Sequence, residues 1–473
     1  MKPLRVVGYV LVVTFLLAWL RASADDESPA GSEADNSSRT EEKVPAAPQT
    51  AAVQEPSREL QRALLQKMKS KRPTVRVAAV QELGAFPTAE AARFLAQHGL
   101  ASDYGDVRKA AYETFLELNE QEPVAGFLLD TVGREVKRAS PRGNVCGMLA
   151  VAMASSDAAI ERRAIELFDQ TAGRTQTGVG LVLTLVDELG SVGDETSVDT
   201  LMKISKRPAF QDRFAVRRAV VQSLTRITLP KSTDALVTLL TSATGEVRGD
   251  IVRHLTAISG EKFGVDPPAW AAWWKKKQGK PPRGDRGSPS MADGISWKST
   301  YYGLPIYAAR LVFVLDTSGS MSGGRILAAK RELCSAIASL PEGTYFNVLA
   351  FDIGVWPWSA QLVPASANNK AEAMGWVQLR PLGSQTASYN ALEAAFGFDA
   401  ESIYFLTDGQ PAGGTIDNPV QIIEVLSRLN QTRRLTINTI GIGVGIPGPA
   451  NPFDLFLSGL ASRNYGEYRR VDQ

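Results

Sequence analysis

Three oxygen-bearing side chains alternate directly after an apolar run. Residues 311–315 (LVFVL) are all apolar, and Asp316, Ser318 and Ser320 follow at every second position. Because Gly319 separates the two serines, the loop can bend tightly and aim all three side chains at one point. An acid in this place is chemically suited to three roles: a nucleophile, part of a phosphate-binding loop, or a metal ligand.

Two further oxygen-bearing residues follow later in the chain. Thr386 lies in GSQTASYNAL, and Asp408 follows the apolar run YFLT in LTDGQP. Oxygen ligands with few negative charges suit Mg²⁺, which prefers octahedral geometry and keeps waters or a partner's ligand in its shell. We therefore expect a hard-cation site for Mg²⁺, with Mn²⁺ or Ca²⁺ as alternatives, and its predicted ligands are Asp316, Ser318, Ser320, Thr386 and Asp408.

The other chemistries lack essential parts. A Walker-type phosphate loop ends in Gly-Lys-Ser/Thr, which GSMSGGR does not. A Ser-His-Asp hydrolase needs a histidine, and His98 and His254 both lie far upstream of this region. A phosphatase of the haloacid-dehalogenase type uses a first Asp as nucleophile, but its second Asp is replaced here by Ser318. A phosphoester hydrolase with Asp316 as nucleophile remains the alternative from a different functional class.

The elements around these residues alternate between strands and helices. Near-continuous apolar strands between helices are typical of a parallel sheet that is covered on both faces. In such sheets ligands bind beyond the carboxyl ends of the strands, at a topological switch point, which is where Asp316 and Asp408 are expected. The predicted strands are 309–315, 345–351, 358–365, 402–409 and 435–444. The predicted helices are 325–340, 369–379, 388–398, 419–430 and 452–463, and the last of them precedes the closing segment 466–471.

At these residues the sequence resembles the von Willebrand factor A domain. DTSGSM is similar to the opening of that family's metal-ion-dependent adhesion site, TDGQP to its last acidic motif, and INTIGIGVG and NYGEYRRV to its closing segments. Thr386 follows Ser384-Gln385, where the family has two glycines. The resemblance covers residues 306–473 and implies a doubly wound α/β fold with an intact adhesion site. It implies that Ser318, Ser320 and Thr386 bind Mg²⁺ directly, and that Asp316 and Asp408 act mainly through water.

The middle of the chain, residues 59–277, contains a helical repeat. The segment TVRVAAVQELGAF recurs as DVRKAAYETFLEL, AVRRAVVQSLTRI and EVRGDIVRHLTAI, with Arg76 and Arg108 separated by 32 residues and Arg217 and Arg248 by 31. This spacing is typical of stacked helical units, and the pattern resembles HEAT repeats. We expect these arginines to be structural, so the predicted fold class is a multidomain chain: an all-α solenoid followed by the α/β domain.

Composition shifts divide the rest of the chain. Residues 1–24 have a basic start, a short apolar run and ASA, which predicts a signal peptide or, as the alternative, an N-terminal membrane anchor. Residues 25–58 are acidic and rich in Pro, Ala and Ser, which predicts a disordered segment. Residues 278–305 are rich in Pro and Gly and are predicted to be a linker.

These features favour a non-catalytic function outside the cytoplasm. The net charge of +2 over 473 residues argues against nucleic acid as a partner, and two cysteines and two histidines exclude a disulfide scaffold and a His-based zinc site. The resemblance implies an adhesion or assembly module, and the N-terminal segment predicts that it is secreted, periplasmic or in the cell envelope. If that segment is uncleaved it anchors the chain, and we expect no other contact with a membrane. An acidic side chain of a protein partner would complete the Mg²⁺ shell. In the structural alternative the repeats bind the partner and the metal only stabilises the fold.

Overall fold

The structure is a computed structural model, and it describes most of the chain after residue 53. The predicted signal or anchor lies outside the described residues, as do nearly all of the acidic segment and most of the predicted linker. The described ranges are 54–137, 144–172, 176–277, 299–443 and 451–472. Within them, no helix is both long and apolar enough to span a bilayer.

The first part of the described chain is entirely helical. Its helices are short and amphipathic, and they bury one continuous core between neighbours, as stacked helical units do. A 3₁₀ turn (Glu82–Ala85) and a π-helical turn (Leu95–Gly99) interrupt the series. In the described residues before 278 the helices are α1 (Arg58–Lys67), α2 (Pro73–Gln81), α3 (Ala89–Phe94), α4 (Gly105–Leu118), α5 (Glu122–Glu135), α6 (Asn144–Met153), α7 (Ala158–Ala172), α8 (Gln176–Val192), α9 (Glu195–Ile204), α10 (Pro208–Asp212), α11 (Phe214–Arg226), α12 (Pro230–Leu240), α13 (Gly245–Ser259) and α14 (Pro267–Lys276).

The repeated arginines have the same structural use in three units. Arg76, Arg108 and Arg217 each donate to the backbone carbonyl six residues earlier, which closes the turn before the helix. Arg76 also forms a 2.9 Å ion pair with Asp106 of a neighbouring unit. These contacts support an internal repeat, and its assignment to the HEAT family stays a prediction.

The array ends in a buried tryptophan cluster on α14. Trp270, Trp273 and Trp274 are all at most 7% exposed, and α14 packs on α12. The indole N–H of Trp274 donates to Asp234 of α12 at 3.3 Å. The cluster covers the apolar surface of the last helical layer, as expected of a terminal unit.

The second part is an α/β domain with a mostly parallel sheet, as predicted. Helices cover both faces of the sheet, and two separate apolar clusters fill the space between the layers. The strands are β1 (Thr300–Tyr301), β2 (Leu304–Pro305), β3 (Arg310–Asp316), β4 (Tyr345–Phe351), β5 (Val355–Pro357), β6 (Val363–Pro364), β7 (Ser402–Thr407), β8 (Thr436–Ile442) and β9 (Tyr468–Val471), and the helices are α15 (Gly324–Ser339), α16 (Ala367–Leu379), α17 (Ser388–Phe396), α18 (Pro419–Arg433) and α19 (Pro452–Ser462).

The strand order creates a switch point at β3. The main sheet runs β5-β4-β3-β7-β8-β9, and β6 also pairs with β4. The pairs among β4, β3, β7, β8 and β9 are parallel, whereas β5 and β6 are antiparallel to β4. The chain leaves β3 toward β4 on one side and later returns to β7 on the other, so a crevice forms at the carboxyl end of β3.

The α/β domain begins within the segment predicted as a linker. Residues 299–305 lie in the domain: β1 and β2 form a hairpin, and Tyr301 and Leu304 are at most 2% exposed in its core. The hairpin strands have only two residues each, too short for alternation to be recognised. The proposed boundary at residue 306 stays a prediction, but the described hairpin belongs to the α/β domain.

The helical array contacts the amino-terminal edge of the sheet. The residues of the sheet that contact the array lie just before strands: Glu401 before β7 and Arg434 before β8. Glu401 accepts the backbone N–H of Ala309 at 2.9 Å and that of Glu246, in the first turn of α13, at 3.1 Å. These contacts do not cover the opposite, carboxyl-terminal edge of the sheet. The two edges are separated by the length of the seven-residue strand β3, roughly 20 Å.

A buried arginine makes the second contact between the array and the domain. Arg218 of α11 is fully buried, and its Nη1 donates to the carbonyl of Arg434 at 2.7 Å. Its Nε and Nη2 donate to both oxygens of Asp250, at 2.8 and 3.2 Å. Arg434 in turn donates to Gln222 at 2.7 Å and pairs with Asp187. Charged side chains thus join the two parts where the sequence had suggested only a linker.

Candidate metal centre

Two adjacent parallel strands bring the two predicted carboxylates together. Asp316 is the last residue of β3, and Asp408 directly follows β7. These strands pair in parallel, with Leu315 opposite Leu406, so both carboxylates reach the same edge of the sheet. The register of β3 against β7 is therefore enough to bring Asp316 and Asp408 to the same edge of the sheet.

Asp316 is fully buried, and other groups already use both of its oxygens. Its Oδ1 accepts the backbone N–H of Ser318 at 2.7 Å, and its Oδ2 accepts the hydroxyl of Thr407. Burial raises the pKa of Asp316 to about 6, although these hydrogen bonds lower it and the nearby Asp408 carboxylate adds to the increase. This carboxylate holds the loop in place, because the turn from β3 into residues 317–320 is built on it.

The two serine hydroxyls and Asp408 form a continuous chain of oxygens. Ser318 Oγ lies 3.0 Å from Ser320 Oγ, and Ser320 Oγ donates to Asp408 Oδ1 at 2.6 Å. Ser318 is buried, whereas Ser320 is exposed, so the chain runs from the interior to solvent. The other oxygen of Asp408 accepts Arg325 Nη1 at 2.9 Å.

Thr386 enters the same cluster from the loop between α16 and α17. Its backbone pairs with Ala412 in both directions, at 2.9 and 3.0 Å, which fixes the loop beside the segment after β7. A Cβ built on Gly409 would lie 3.7 Å from both Ser320 Oγ and Thr386 Oγ1. The two hydroxyls therefore face the same small space, which the absent side chain of Gly409 leaves open.

All five residues predicted from the sequence meet at this edge. They supply two carboxylates and three hydroxyls, a donor set made only of oxygen that fits a hard cation such as Mg²⁺. Within the described part of the chain, no group of three or more His, Cys, Asp or Glu side chains is placed to hold a metal, so a thiolate or imidazole centre is absent there. A cation at this edge would have to use the hydroxyls as well as the acids.

The sequence patterns did not point to two further functional candidates, Arg325 and Asp352. Arg325 lies in the first turn of α15, where a positive charge meets the positive end of the helix dipole, and this unfavourable position was the available signal. Asp352 directly follows β4, so it lies at the same edge of the sheet as Asp316 at the end of β3. The backbone carbonyl of Asp352 accepts the N–H of Ala387 at 2.8 Å. It supports the loop that carries Thr386.

Comparison with known proteins identifies the α/β domain. The family model of the von Willebrand factor type A domain matches residues 309–469. This part of the chain is a von Willebrand factor type A domain. The match confirms the resemblance drawn from DTSGSM and TDGQP, and it covers about the residues expected for the domain. The VWA domain thus accounts for the sheet and its switch point, while the metal-binding role of the five residues stays a prediction.

The curated relatives match a part of this chain and a smaller part of their own length. Inter-alpha-trypsin inhibitor heavy chain H4 of Homo sapiens is 29% identical over 184 residues, which are 36% of this chain and 19% of the relative. Heavy chain H3 of Rattus norvegicus is 37% identical over 76 residues, 16% of this chain and 9% of the relative. Von Willebrand factor A domain-containing protein 3B of Homo sapiens is 28% identical over 131 residues, 28% of this chain and 10% of the relative. The chain therefore spans less than a fifth of the length of each of these relatives.

Solved structures align over about a third of the chain. A von Willebrand factor type A protein from Catenulispora acidiphila is 23% identical, with a TM-score of 0.31, over 35% of this chain and 38% of its own. The BatB protein from Bacteroides thetaiotaomicron is 16% identical, with a TM-score of 0.27, over 35% of this chain and 90% of its own.

Proposed function

We propose that this chain is a divalent-cation-dependent protein-binding module that works outside the cytoplasm. Mg²⁺ at the carboxyl edge of the VWA sheet would be held by Ser318, Ser320 and Thr386, with Asp316 and Asp408 acting through water. A carboxylate from the partner protein would take an open position in the Mg²⁺ shell. The helical array would add a second surface, and no chemical turnover is involved.

One observation carries the proposal: three hydroxyls and two carboxylates from separate loops converge on one edge. Uncovered space remains beside Gly409 and the exposed Ser320, so an outside ligand has access. Oxygen ligands that leave part of the shell to water suit Mg²⁺, and such a position accepts a carboxylate without further chemistry. The relatives that share the VWA domain are consistent with an interaction module.

The geometry argues against the hydrolase alternative. A nucleophilic Asp316 would need a free, accessible oxygen, whereas both oxygens accept hydrogen bonds within a fully buried site. The neighbouring Ser318 has no acidic group with which to shuttle a proton. A binding role is compatible with a buried Asp316 whose oxygens both accept hydrogen bonds.

Calorimetric titration of Mg²⁺ into the full chain tests the proposed site. We expect saturable binding of one ion by the wild type and a loss of at least about tenfold in affinity in Ser320→Ala, because a direct ligand is removed. Ser322→Ala is the matched control, since Ser322 is exposed in the same loop but lies outside the cluster.

Absence of Mg²⁺ binding in the wild type, or equal binding in Ser320→Ala, would contradict the proposed site. Release of phosphate from p-nitrophenyl phosphate, lost in Asp316→Ala, would instead favour the hydrolase. Metal binding that raises the melting temperature without affecting partner capture would favour the scaffold, in which the repeats do the binding.

Arg325 should weaken the affinity of this site for cations. Its guanidinium pairs with Asp408 at 2.9 Å and places a positive charge beside the expected cation. We expect Arg325→Gln to bind Mg²⁺ roughly tenfold more tightly, a modest effect because the side chain is partly exposed and screened. Arg331→Gln is the control, because it makes the same charge change further along α15. Unchanged or weaker binding in Arg325→Gln would mean that Arg325 serves mainly to position Asp408.

A further inference from the structure

A cavity lies between the helical array and the VWA domain, at the amino-terminal edge of the sheet. Its volume is about 390 Å³, which is within the range of cavities that hold small organic molecules. One wall comes from α13 of the array, and the other from the start of β8 and the loop before β9. We call it the junction cavity, and it lies at the opposite end of the strands from the metal edge.

The array wall of the junction cavity carries a buried carboxylate with an unused oxygen. Glu246, in the first turn of α13, is 1% exposed. Among the described residues no group donates a hydrogen bond to its Oε2, and Arg253 Nη2 lies 3.8 Å from this oxygen, too far for a hydrogen bond. The buried hydroxyl of Thr436, on the facing wall, also lacks a well-formed hydrogen bond within the same ranges. Unpaired polar atoms inside a protein are costly, so a donor from a bound molecule would stabilise them.

The domain wall adds a second acid in a fixed position. The backbone N–H of Glu467 donates to Asn438 Oδ1 at 3.0 Å, and its carbonyl accepts the N–H of Thr439 at 2.9 Å. Both bonds tie this segment to β8. Burial raises the pKa of Glu246 and of Glu467, and the neighbouring arginines only partly oppose the increase. Each acid would therefore gain from a further positive charge nearby.

The charges around the junction cavity leave room for one cation. Arg218 and Arg253 both pair with Asp250, so these three side chains carry one net positive charge. The two glutamates carry two negative charges when they are ionised, and the sum is one negative charge. Burial lowers the pKa of His254, which also lines the cavity, to about 4, so its imidazole is neutral near pH 7 and does not repel a cation. A single monovalent cation would balance the set.

Aromatic and apolar side chains complete the walls. Tyr307, Tyr465, Ala257 and Pro305 line the cavity beside the acids. Tyr307 packs so closely on α13 that a Cβ on Gly249 would lie 2.7 Å from its ring carbon Cγ. This contact fixes the ring before a ligand enters, so little entropy is lost on binding.

We propose that the junction cavity binds an organic ammonium ion, whose N–H groups donate to Glu246 and Glu467 and whose carbon skeleton packs against the two tyrosines. A metal ion fits less well, because within the described ranges no three His, Cys, Asp or Glu side chains are placed to hold one. The two walls belong to different parts of the chain, so the bound ion stabilises the contact between the array and the VWA domain. The inference does not depend on the proposed metal site.

Ligand-observed NMR with the full chain tests this inference, because it detects weak binding of small molecules. The probes are benzylamine and butylamine, each beside the alcohol of the same carbon skeleton, at about pH 8, where the acids are more fully ionised and the amines stay protonated. We expect at least one amine to bind with a dissociation constant of about 1 mM or less, and its alcohol to bind roughly tenfold more weakly. Nα-acetyl-lysine methylamide distinguishes the two sources of an ammonium group: tighter binding than butylamine identifies a protein side chain, and weaker binding a free molecule.

Two variants locate the bound amine. Glu246→Gln and Glu467→Gln keep the shape of the walls but remove one charge each, so each should weaken amine binding by roughly fivefold or more. Because the two acids lie on different walls, one variant still decides the question if the other fails to fold. Glu261→Gln is the matched control, since Glu261 is exposed just beyond the end of α13.

Three results would overturn the inference: no binding of either amine, alcohols that bind as tightly as the amines, or equal amine affinity in the wild type and the folded cavity variants. The cavity would then hold water alone. None of these results bears on the metal edge, because the Mg²⁺ titration of Ser320→Ala reads the opposite end of the sheet.

Discussion

Arg218→Ala is expected to lower the free energy of unfolding by about 3–5 kcal/mol, the cost of breaking a buried charge pair by removing one partner. Arg218 is fully buried and holds Asp250 with two hydrogen bonds. It also donates to the Arg434 carbonyl across the contact between the array and the VWA domain, and its guanidinium lies 4.9 Å from the centre of the Tyr465 ring. Alanine would remove all of these contacts at once.

Urea denaturation of the wild type and variant measures this loss, and the adjacent Arg217 provides the control. Arg217 is half-buried and its hydrogen bonds go to the backbone carbonyls of Phe210 and Gln211 within the array, so Arg217→Ala should cost about 1 kcal/mol. If the Arg218→Ala loss were no larger than that of the control, Arg218 would not hold the two parts together. Hydrogen exchange should also increase at the N–H of Thr436, which follows Arg434 at the start of β8.

The difference between Arg217 and Arg218 illustrates what sequence alone could not supply. The Val-Arg repeat pointed to Arg217, which closes a turn within its own unit. Its neighbour lies about 100° further around the helix and faces the VWA domain. The Arg218 contact joins residues 216 positions apart, and no local pattern records a pairing over that distance.

The metal edge was predictable for a physical reason. Buried parallel strands appear as apolar runs, and an acid that ends such a run must lie at the carboxyl edge of the sheet. Asp316 and Asp408 satisfy this rule, so their meeting follows from strand order. The role of Arg325 does not follow from it, because ion pairing depends on how the loops fold back. The hairpin of β1 and β2 was also missed, because the Pro- and Gly-rich residues before it led to the whole of 278–305 being predicted as a linker.

Glu401→Ala is expected to destabilise the contact between the array and the VWA domain by about 2–4 kcal/mol, because it leaves two buried N–H groups without an acceptor. These are the N–H groups of Ala309 and Glu246. Thr244, the residue at the start of α13, offers no side-chain cap, so Glu401 takes that role from the other part of the chain. Hydrogen exchange of peptides that contain Ala309 and Glu246 should increase in the variant.

Asp399→Ala is the control, since Asp399 is largely exposed and lies two residues before Glu401. Equal exchange in the wild type and Glu401→Ala would contradict the capping role.

The same carboxylate should make the stability of the chain depend on pH. Burial raises the pKa of Glu401 from 4.5 to about 7; its two backbone hydrogen bonds and Arg217 oppose the increase, while Glu246 adds to it. A raised pKa means that the folded state binds the proton more tightly, so this contribution to stability is present at low pH and falls as pH rises from 4.5 to about 7. Between pH 5 and 8 the wild type should lose about 2 kcal/mol more than Glu401→Gln, whose amide oxygen still accepts both N–H groups but does not titrate. The other buried acids are common to both proteins, so the difference between their profiles of unfolding free energy against pH measures Glu401 alone. Parallel profiles would show that Glu401 does not titrate in this range.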